Sequence, residues 1–297
     1  MAGPGEDAAL ELPDGRILEY WEGGDPAGRP MILHPGTPVT RVFGRWGHEA
    51  AVAAGVRLLA VNRPGYGGST TDDSASLMAT GRDTAALAAH EGLDAYAVFG
   101  SSGGGPFAVA TAVADPAHVR ALGVVGGVGP WRILDGPSRD PEDDRCATLL
   151  DAGEVARAWD LMREDVRRWI DELATLDEGA LVDRMLAAHG ESSPLFHDPS
   201  YRALWAENLR SVIDHSDGHA FDNLAWTREW DVDPRDVAAP TLLWYSEKDE
   251  DCPPHHAQWY AERIEGAELV MSADDTHLDV IDGHWPDVLA GLLRIWG

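Results

Sequence analysis

The sequence predicts an α/β fold with a mostly parallel, eight-stranded sheet flanked by helices. Short apolar runs that are typical of buried strands alternate with segments of helical periodicity along most of the chain. This spacing implies right-handed crossover connections between parallel strands. The alternation stops between residues 131 and 230 and returns at residue 241, which indicates a helical insertion after the sixth strand.

The individual elements follow from local pattern and turn chemistry. Residues 9–21 alternate apolar and polar side chains around Pro13-Asp14-Gly15, which predicts an N-terminal hairpin. The remaining strands are predicted at residues 31–33, 56–61, 93–99, 119–125, 241–245 and 267–271. Helices are predicted at residues 39–54, 76–90, 254–264 and 285–296, with one more directly after the loop at residues 100–104.

The predicted insertion is charged and rich in tryptophan. Its apolar side chains recur three or four residues apart, as on the buried face of a helix, at Val155, Trp159, Met162, Val166, Trp169 and Ile170. We therefore divide the chain into a core at residues 1–130 and 231–297 and a helical cap at residues 131–230. A cap in this position would lie over the carboxyl ends of the strands, where α/β sheets bind ligands.

Composition limits the class of partner. The chain has 297 residues, and its net charge of −28 repels nucleic acid and anionic membranes. No apolar run is as long as a membrane span, and the N-terminal stretch MAGPGEDAAL lacks the basic and apolar parts of a signal peptide. The two cysteines, Cys146 and Cys252, suit a reducing compartment. We expect a cytoplasmic monomer or homodimer that acts on a small molecule.

The clearest motif lies between the strand at 93–99 and the helix after it. Residues Gly100-Ser101-Ser102-Gly103-Gly104 have the spacing G-x-S-x-G in a strand–turn–helix context. The glycines allow a sharp turn that would expose the Ser102 hydroxyl and direct the Gly103 N–H at a developing negative charge. The same loop could be a simple turn or could cradle a phosphate. No lysine follows as in a P-loop, and the dinucleotide spacing G-x-G-x-x-G is absent.

A serine nucleophile needs a base, and the base needs an acid that orients it. The loop after the strand at 241–245 carries three carboxylates, Glu247, Asp249 and Asp251, and the loop after the last strand carries His277. Both loops follow the carboxyl ends of strands, at the same edge of the sheet as Ser102. The sequence therefore allows an acid, a histidine and the serine to meet there.

Taken together, these motifs resemble the α/β-hydrolase superfamily. The similarity is closest to cofactor-free bacterial hydrolases related to proline iminopeptidases and small esterases. It covers nearly the whole core, at residues 12–128 and 230–296, whereas the insertion matches only near its end. The matching blocks are HPGTP, NRPGYGGS, GSSGGGPFAVA, DGHAFDNLAW, SEKDEDCPPHH and DDTHLD.

The resemblance implies a role for each matching residue. Ser102 would be the nucleophile, His277 the general base and then acid, and Asp249 the carboxylate that orients the imidazole. The backbone N–H groups of Thr37 and Gly103 would donate to the oxyanion. The residues expected to line the substrate pocket are His34, Trp131, His219 and Leu278. No metal or other cofactor is implied.

The reaction implied by the resemblance is hydrolysis of a carboxylic ester, thioester or lactone through an acyl-enzyme on Ser102. The tryptophan-rich cap favours a small to medium, partly apolar substrate. Aminopeptidase activity would need a carboxylate such as Glu207 or Asp222 to bind an N-terminal ammonium group. Cleavage of C–C bonds and acyl transfer use the same three residues. A ligand-binding protein with a retained pocket is the non-enzymatic alternative.

Three departures from the family pattern accompany these matches. Pro35 stands where a histidine or glycine is common, and Ser246 replaces a usual glycine. Asp274 and Asp275 replace small residues before the histidine. If their carboxylates lie close to His277, they should raise the pKa of its imidazole.

Overall fold

The computed structural model of the protein describes residues 5–134, 141–190 and 192–297. The first four residues of the N-terminal stretch from which we argued against a signal peptide lie outside the described residues. So do residues 135–140 and 191 of the predicted cap. None of the described helices is long and apolar enough to cross a lipid bilayer.

A single eight-stranded sheet forms the centre of the molecule, in the strand order β1-β2-β4-β3-β5-β6-β7-β8. β1 pairs antiparallel with β2 and β2 antiparallel with β4, whereas every other neighbouring pair is parallel. The predicted fold class is therefore confirmed. The strands are β1 (Glu6–Glu11), β2 (Ile17–Gly24), β3 (Arg29–His34), β4 (Val56–Val61), β5 (Tyr96–Ser101), β6 (Val119–Val125), β7 (Thr241–Ser246) and β8 (Glu268–Ser272).

Helices cover both faces of the sheet, and on each face an apolar cluster forms where the helices pack on the strands. Helices α1 and α10 pack on one face, and α2, α3 and α9 pack on the other. The helices are α1 (His48–Ala54), α2 (Leu77–His90), α3 (Gly105–Ala114), α4 (Pro141–Asp151), α5 (Val155–Leu173), α6 (Glu178–Gly190), α7 (Pro199–Asp214), α8 (Asp217–Thr227), α9 (Pro254–Ala261) and α10 (Trp285–Trp296).

The N-terminal hairpin forms where the alternating pattern predicts it. β1 and β2 pair in a register that places Glu11 opposite Ile17. Gly15 has a φ of +85°, a conformation that costs glycine little because it has no Cβ. The turn is closed by a 2.8 Å hydrogen bond from the backbone N–H of Leu12 to the carbonyl oxygen of Arg16.

The segment predicted as one helix at residues 39–54 is instead divided. A 3₁₀ turn at Arg41–Arg45 precedes α1, which begins only at His48. Gly44 packs against the ring of Trp21 and Gly47 against the ring of Trp285, with no room for a Cβ at either position. Gly44 and Gly47 also lower the intrinsic helix propensity of this stretch. The close packing of these glycines on the two indole rings therefore takes precedence over a continuous helix.

Five α-helices, α4 to α8, are found in the described part of the chain between β6 and β7, and we call them the helical segment. The apolar stripe predicted for this region lies on α5, where Trp159, Met162, Val166 and Ile170 are buried. Val155, at the helix start, is exposed instead. The domain boundaries at residues 130 and 230 stay a prediction.

The turn between β5 and α3 depends on two glycines that have no space for a side chain. A Cβ on Gly100 would overlap the carbonyl oxygen of Gly104, and a Cβ on Gly104 would overlap the carbonyl oxygen of His34. In both cases the obstruction is backbone, which cannot move aside without displacing a strand. The turn therefore needs glycine at both positions.

We predict that Gly104→Ala lowers the free energy of unfolding by at least about 1–3 kcal/mol, because the new methyl group must displace the backbone after β3. Urea unfolding followed by circular dichroism measures the change. Gly179→Ala on α6 is the matched control, since the nearest atom to its new Cβ is an Asp177 side-chain oxygen 3.5 Å away. Equal stability of the Gly104→Ala variant and the wild type would contradict the proposed clash.

Candidate active site

Ser102 occupies the turn between β5 and α3 in a strained backbone conformation. Its φ is +48°, a region that residues with a Cβ rarely adopt, at a typical cost of about 1–3 kcal/mol. The turn is held in place because the Ser102 carbonyl accepts a 3.1 Å hydrogen bond from the backbone N–H of Val128, beyond β6. This conformation places the hydroxyl at the carboxyl edge of the sheet.

A chain of hydrogen bonds joins Ser102 to the two loops after β7 and β8. His277 Nε2 lies 2.9 Å from Ser102 Oγ, and His277 Nδ1 lies 2.8 Å from Asp249 Oδ2. Asp249 is 2% exposed and His277 is 4% exposed. This arrangement has the Nδ1 proton donated to Asp249 and leaves Nε2 free to accept the serine proton.

Backbone N–H groups of the loop after β7 hold the carboxylate of Asp249 in one orientation. Asp249 Oδ1 accepts hydrogen bonds from the backbone N–H groups of Asp251, at 3.0 Å, and Cys252, at 2.8 Å. Glu247, the first carboxylate of the loop, is exposed. Among the three carboxylates considered from sequence, Asp249 is the one that bonds to His277.

The pKa of His277 is raised from 6.5 to about 9. Burial disfavours the charged imidazole, but the charge and hydrogen bond of Asp249 outweigh it, with smaller contributions from the charges of Asp251 and Asp282. The imidazolium form is therefore strongly stabilised. The raised pKa that we expected from sequence is present.

The cause expected from sequence is wrong, however. Asp274 forms an ion pair with Lys248, and Asp275 Oδ2 lies 2.8 Å from His284 Nε2. Neither is among the charges that act on His277. Both side chains are turned toward other partners, Lys248 and His284, so adjacency in sequence does not bring their charge to the imidazole.

The loop after β3 passes directly against Ser102. A Cβ on Gly36 would lie 3.2 Å from the Ser102 Cβ, and the Thr37 hydroxyl approaches the Cα of Gly103. Thr37 and Gly103 are thus neighbours beside the serine, as the resemblance implies. Backbone N–H groups from two different segments can converge at one point here.

A fully buried ion pair holds this loop. Arg63 donates to both carboxylate oxygens of Asp222, at 2.8 and 2.6 Å, and also to the carbonyl oxygens of Pro35 and Gly36. The Thr37 hydroxyl donates to Asp222 as well, at 2.5 Å. The side chain of Thr37 is therefore part of the network, although only its backbone was singled out from sequence. Because Asp222 belongs to α8, the pair joins the loop to the helical segment.

A cavity of about 560 Å³ opens above Ser102, between the sheet edge and the helical segment. Three of the four predicted pocket residues line it, namely Trp131, His219 and Leu278. Further apolar lining comes from Val39, Val128, Val166, Met185, Trp226 and Ile281. Three carboxylates from the helical segment, Asp143, Asp165 and Glu172, complete a wall of mixed polarity.

His34 does not line the cavity, so the sequence-based placement is wrong. Its side chain is fully buried, stacked on Phe107, with Nε2 3.1 Å from the hydroxyl of Thr111. Burial and the nearby charge of Arg63 hold the pKa of His34 well below its usual value, so the ring is neutral. The β3 pleat points this side chain toward α3 instead of the opening.

Sequence reasoning missed several residues of the cavity wall. Trp226 packs directly on Gly103 and on Trp131, whose ring centroid is 5.0 Å away. His189 and Asp251 also line the cavity and contact each other. Asp251 was considered only as an alternative to Asp249. No periodicity or motif marks His189, because its position depends on how α6 packs over the core.

Two carboxylates considered for binding an ammonium group lie elsewhere. Asp222 is buried against Arg63, and Glu207 forms an ion pair with Arg45 at the surface.

Other histidines near this edge also have structural contacts. His256 Nδ1 accepts a hydrogen bond from the backbone N–H of Gly129 at 2.7 Å.

Comparison with known proteins agrees with this architecture. A sequence model described as the alpha/beta hydrolase fold matches residues 29–284, which is most of the chain. The chain belongs to this family. The match extends through β3 to β8 and includes the helical segment.

Individual relatives are distant. An uncharacterized hydrolase, YcgS, of Bacillus subtilis is 25% identical in an alignment of 281 positions that covers 89% of each chain. An alpha/beta hydrolase fold protein from Nakamurella multipartita is 27% identical, with a TM-score of 0.68 over 98% of this chain and 100% of that one. An esterase from Exiguobacterium antarcticum has the same TM-score at 16% identity, over 98% and 99% of the two chains. That last likeness concerns the fold alone.

We predict that Asp222→Asn lowers the free energy of unfolding by about 3–5 kcal/mol, because the guanidinium of Arg63 is left buried without its counter-charge. Urea unfolding measures the loss. Glu207→Gln removes a carboxylate from an exposed ion pair on the neighbouring α7, and should cost less than about 1 kcal/mol. Similar losses for the two variants would mean that Arg63 is satisfied by its carbonyl partners alone.

Proposed function

We propose that this protein is a serine hydrolase that cleaves a carboxylic ester, thioester or lactone through an acyl-enzyme on Ser102. The observation that carries the proposal is the hydrogen-bonded chain Ser102–His277–Asp249 at the base of the cavity. Each member has the partner and the burial that its role requires. Membership of a hydrolase family agrees with the same reaction class.

In the first half of the reaction, Ser102 forms a covalent bond with the substrate. Its Oγ attacks the carbonyl carbon while His277 Nε2 accepts the hydroxyl proton. The carbonyl oxygen gains the negative charge and accepts hydrogen bonds from the backbone N–H groups of Thr37 and Gly103. His277 then donates its proton to the leaving alkoxide, and the acyl group stays on Ser102.

In the second half, water replaces the alcohol. His277 removes a proton from water, and the hydroxide attacks the acyl carbon. The same two N–H groups stabilise the second tetrahedral intermediate. Collapse of this intermediate breaks the bond to Oγ, which takes its proton back from His277, and the carboxylic acid leaves.

The cavity wall supports a substrate that is partly apolar and of small to medium size. Trp131, Trp226 and Leu278 offer apolar surface close to Ser102. His219 presents a neutral ring there, because burial lowers its pKa to about 4 against the charges of Asp222 and Asp165. A volume of about 560 Å³ lies within the range of small-molecule sites.

The two carboxylates named from sequence for aminopeptidase chemistry do not face the cavity, although Asp143, Asp165 and Glu172 line it. The carboxylates considered for an ammonium group, Glu207 and Asp222, are engaged by Arg45 and Arg63 outside the cavity. The proposal of carboxylic ester hydrolysis therefore needs no further binding group, only the carbonyl and an apolar substituent.

We predict that a fluorophosphonate adds one covalent adduct to the wild-type protein and none to Ser102→Ala. The expected reason is that, among the serines that the structure describes, only Ser102 has a histidine within hydrogen-bonding distance of its hydroxyl that is itself oriented by a buried carboxylate. Intact-protein mass spectrometry detects the adduct. A panel of p-nitrophenyl esters of increasing acyl length then measures turnover.

Ser101→Ala is the control for this experiment, since it removes the neighbouring hydroxyl and leaves the Ser102–His277 pair in place. It should react like the wild type. A folded wild-type protein without an adduct would contradict the proposed function and favour a ligand-binding protein. An adduct retained in Ser102→Ala would assign the nucleophile elsewhere.

We predict that the rate of fluorophosphonate labelling rises about tenfold per pH unit from pH 6 and levels off near pH 9. Below its pKa of about 9, His277 is protonated and cannot accept the serine proton, so the reactive fraction grows with pH. Asp275→Asn is the control and should leave the profile unchanged, because Asp275 pairs with His284. A rate that levels off near pH 6.5 would mean that the surrounding carboxylates do not act on His277.

A further inference from the structure

A second carboxylate lies beside His277 and has no part in the proposed mechanism. Carboxylate oxygens of Asp249 and Asp251 and a ring nitrogen of His277 all lie within 4.8 Å of one another. Asp251 is partly buried, lines the same cavity and comes from the same loop after β7 as Asp249. Its own backbone N–H donates to Asp249 Oδ1 at 3.0 Å, so the main chain at Asp251 is held against the Asp249 carboxylate.

The side chain of Asp251 is held from the opposite wall. His189 Nδ1 lies 3.0 Å from Asp251 Oδ2, with both side chains about one quarter exposed to the cavity. The ring of His189 is also close to that of His277, with their centroids 6.1 Å apart. His189 belongs to α6, so the helical segment reaches the proposed base through one intervening carboxylate.

The environment keeps Asp251 ionised. Burial alone would raise its pKa, but the hydrogen bond from His189 and the charges of His277 and His189 lower it below the usual value. A carboxylate in this state can interact with the imidazolium of His277 throughout the physiological range. Asp249, in contrast, contacts Nδ1 of His277 directly, at 2.8 Å.

We propose that Asp251, oriented by His189, is a positioning residue that stabilises the protonated form of His277 alongside Asp249. The inference rests on the proposed function, in which His277 carries a proton between the two halves of the reaction. On this view α6 contributes to the reacting centre itself and is more than a cover over the cavity. The helical segment thus sets part of the proton affinity of the base.

The test must separate the effect of Asp251 on His277 from the effects of the other charged groups around it. Asp249 bonds to Nδ1 directly. Asp282, from the turn before α10, acts at longer range and is bonded by the hydroxyl of Tyr201 at 2.6 Å. Burial raises the pKa of Asp282 to about 6. The ion pair of His189 and Asp251 could instead be a purely structural link between α6 and the loop, which would leave the protonation of His277 unchanged.

The test is a histidine titration by NMR with ¹⁵N-labelled imidazole rings, which needs neither substrate nor turnover. The signal of His277 is assigned by its absence from His277→Gln. In Asp251→Asn the amide oxygen can still accept the hydrogen bond from His189, but the negative charge is gone. We expect the pKa of His277 to fall by about one unit or more. An unchanged pKa would overturn the inference.

His189→Leu, which removes the hydrogen-bond donor to Asp251, tests the positioning role by the sign of the shift. If His189 holds Asp251 in place, its removal frees the carboxylate and the pKa of His277 falls. If His189 does not hold the carboxylate in place, its removal leaves the pKa of His277 unchanged or raises it, and the positioning role is overturned. Asp183→Asn is the matched control, because it removes a carboxylate of α6 that faces Arg202 outside the cavity.

Fluorophosphonate labelling of the same variants separates this inference from the proposed function. If the wild type is labelled at Ser102 while Asp251→Asn leaves the His277 pKa unchanged, the proposed function stands and the role of Asp251 fails. If the pKa falls in Asp251→Asn and the wild type resists labelling, the interaction is real and the proposed chemistry fails. When both hold, the labelling profile of Asp251→Asn should level off at a lower pH than that of the wild type.

Discussion

The close approach of three backbone segments at the turn after β5 is the constraint on which the site depends. β5 lies in the middle of the sheet, between β3 and β6, so the turn is enclosed by the loops that follow both neighbours. Because Gly100 and Gly104 have no side chains, the backbone at His34 can reach the turn. Ser102 is thereby held at positive φ, and its hydroxyl faces the cavity. A parallel sheet supplies the rigidity that maintains such strain.

The helical segment is attached to this centre by specific polar contacts as well as by apolar packing. Asp222 of α8 forms the buried ion pair with Arg63, and Trp226 of the same helix packs on Gly103. His189 of α6 reaches Asp251 from the other side. Breaking a buried ion pair leaves a charge without water or a partner, so the relative position of α8 and the loop after β3 is strongly constrained. The cavity wall and the loop after β3 are therefore parts of one network.

Local geometry, and not the overall charge, determines the electrostatics of the site. The chain has a net charge of −28, yet the carboxylates that act on His277 are the three whose side chains face it, Asp249, Asp251 and Asp282. Asp274 and Asp275 are nearer in sequence but pair with Lys248 and His284. Interactions between exposed charges are weakened by water and salt, whereas those around a buried imidazole are not.

The amino-acid sequence was enough to predict the fold class, the succession of strands and helices along the core, and the three loops that bring a serine, a carboxylate and a histidine to one edge of the sheet; the choice of Asp249 among three carboxylates came from the family resemblance. These follow from local rules, because hydrophobic period, turn glycines and motif order are written in adjacent residues. Only the tertiary structure decided the division of residues 39–54, the burial of His34, the partners of Asp274 and Asp275, and the contact of His189 with Asp251. Each of these depends on which side chains are brought together from distant parts of the chain. Packing between such segments leaves no periodic trace in either one, so the sequence alone cannot predict it.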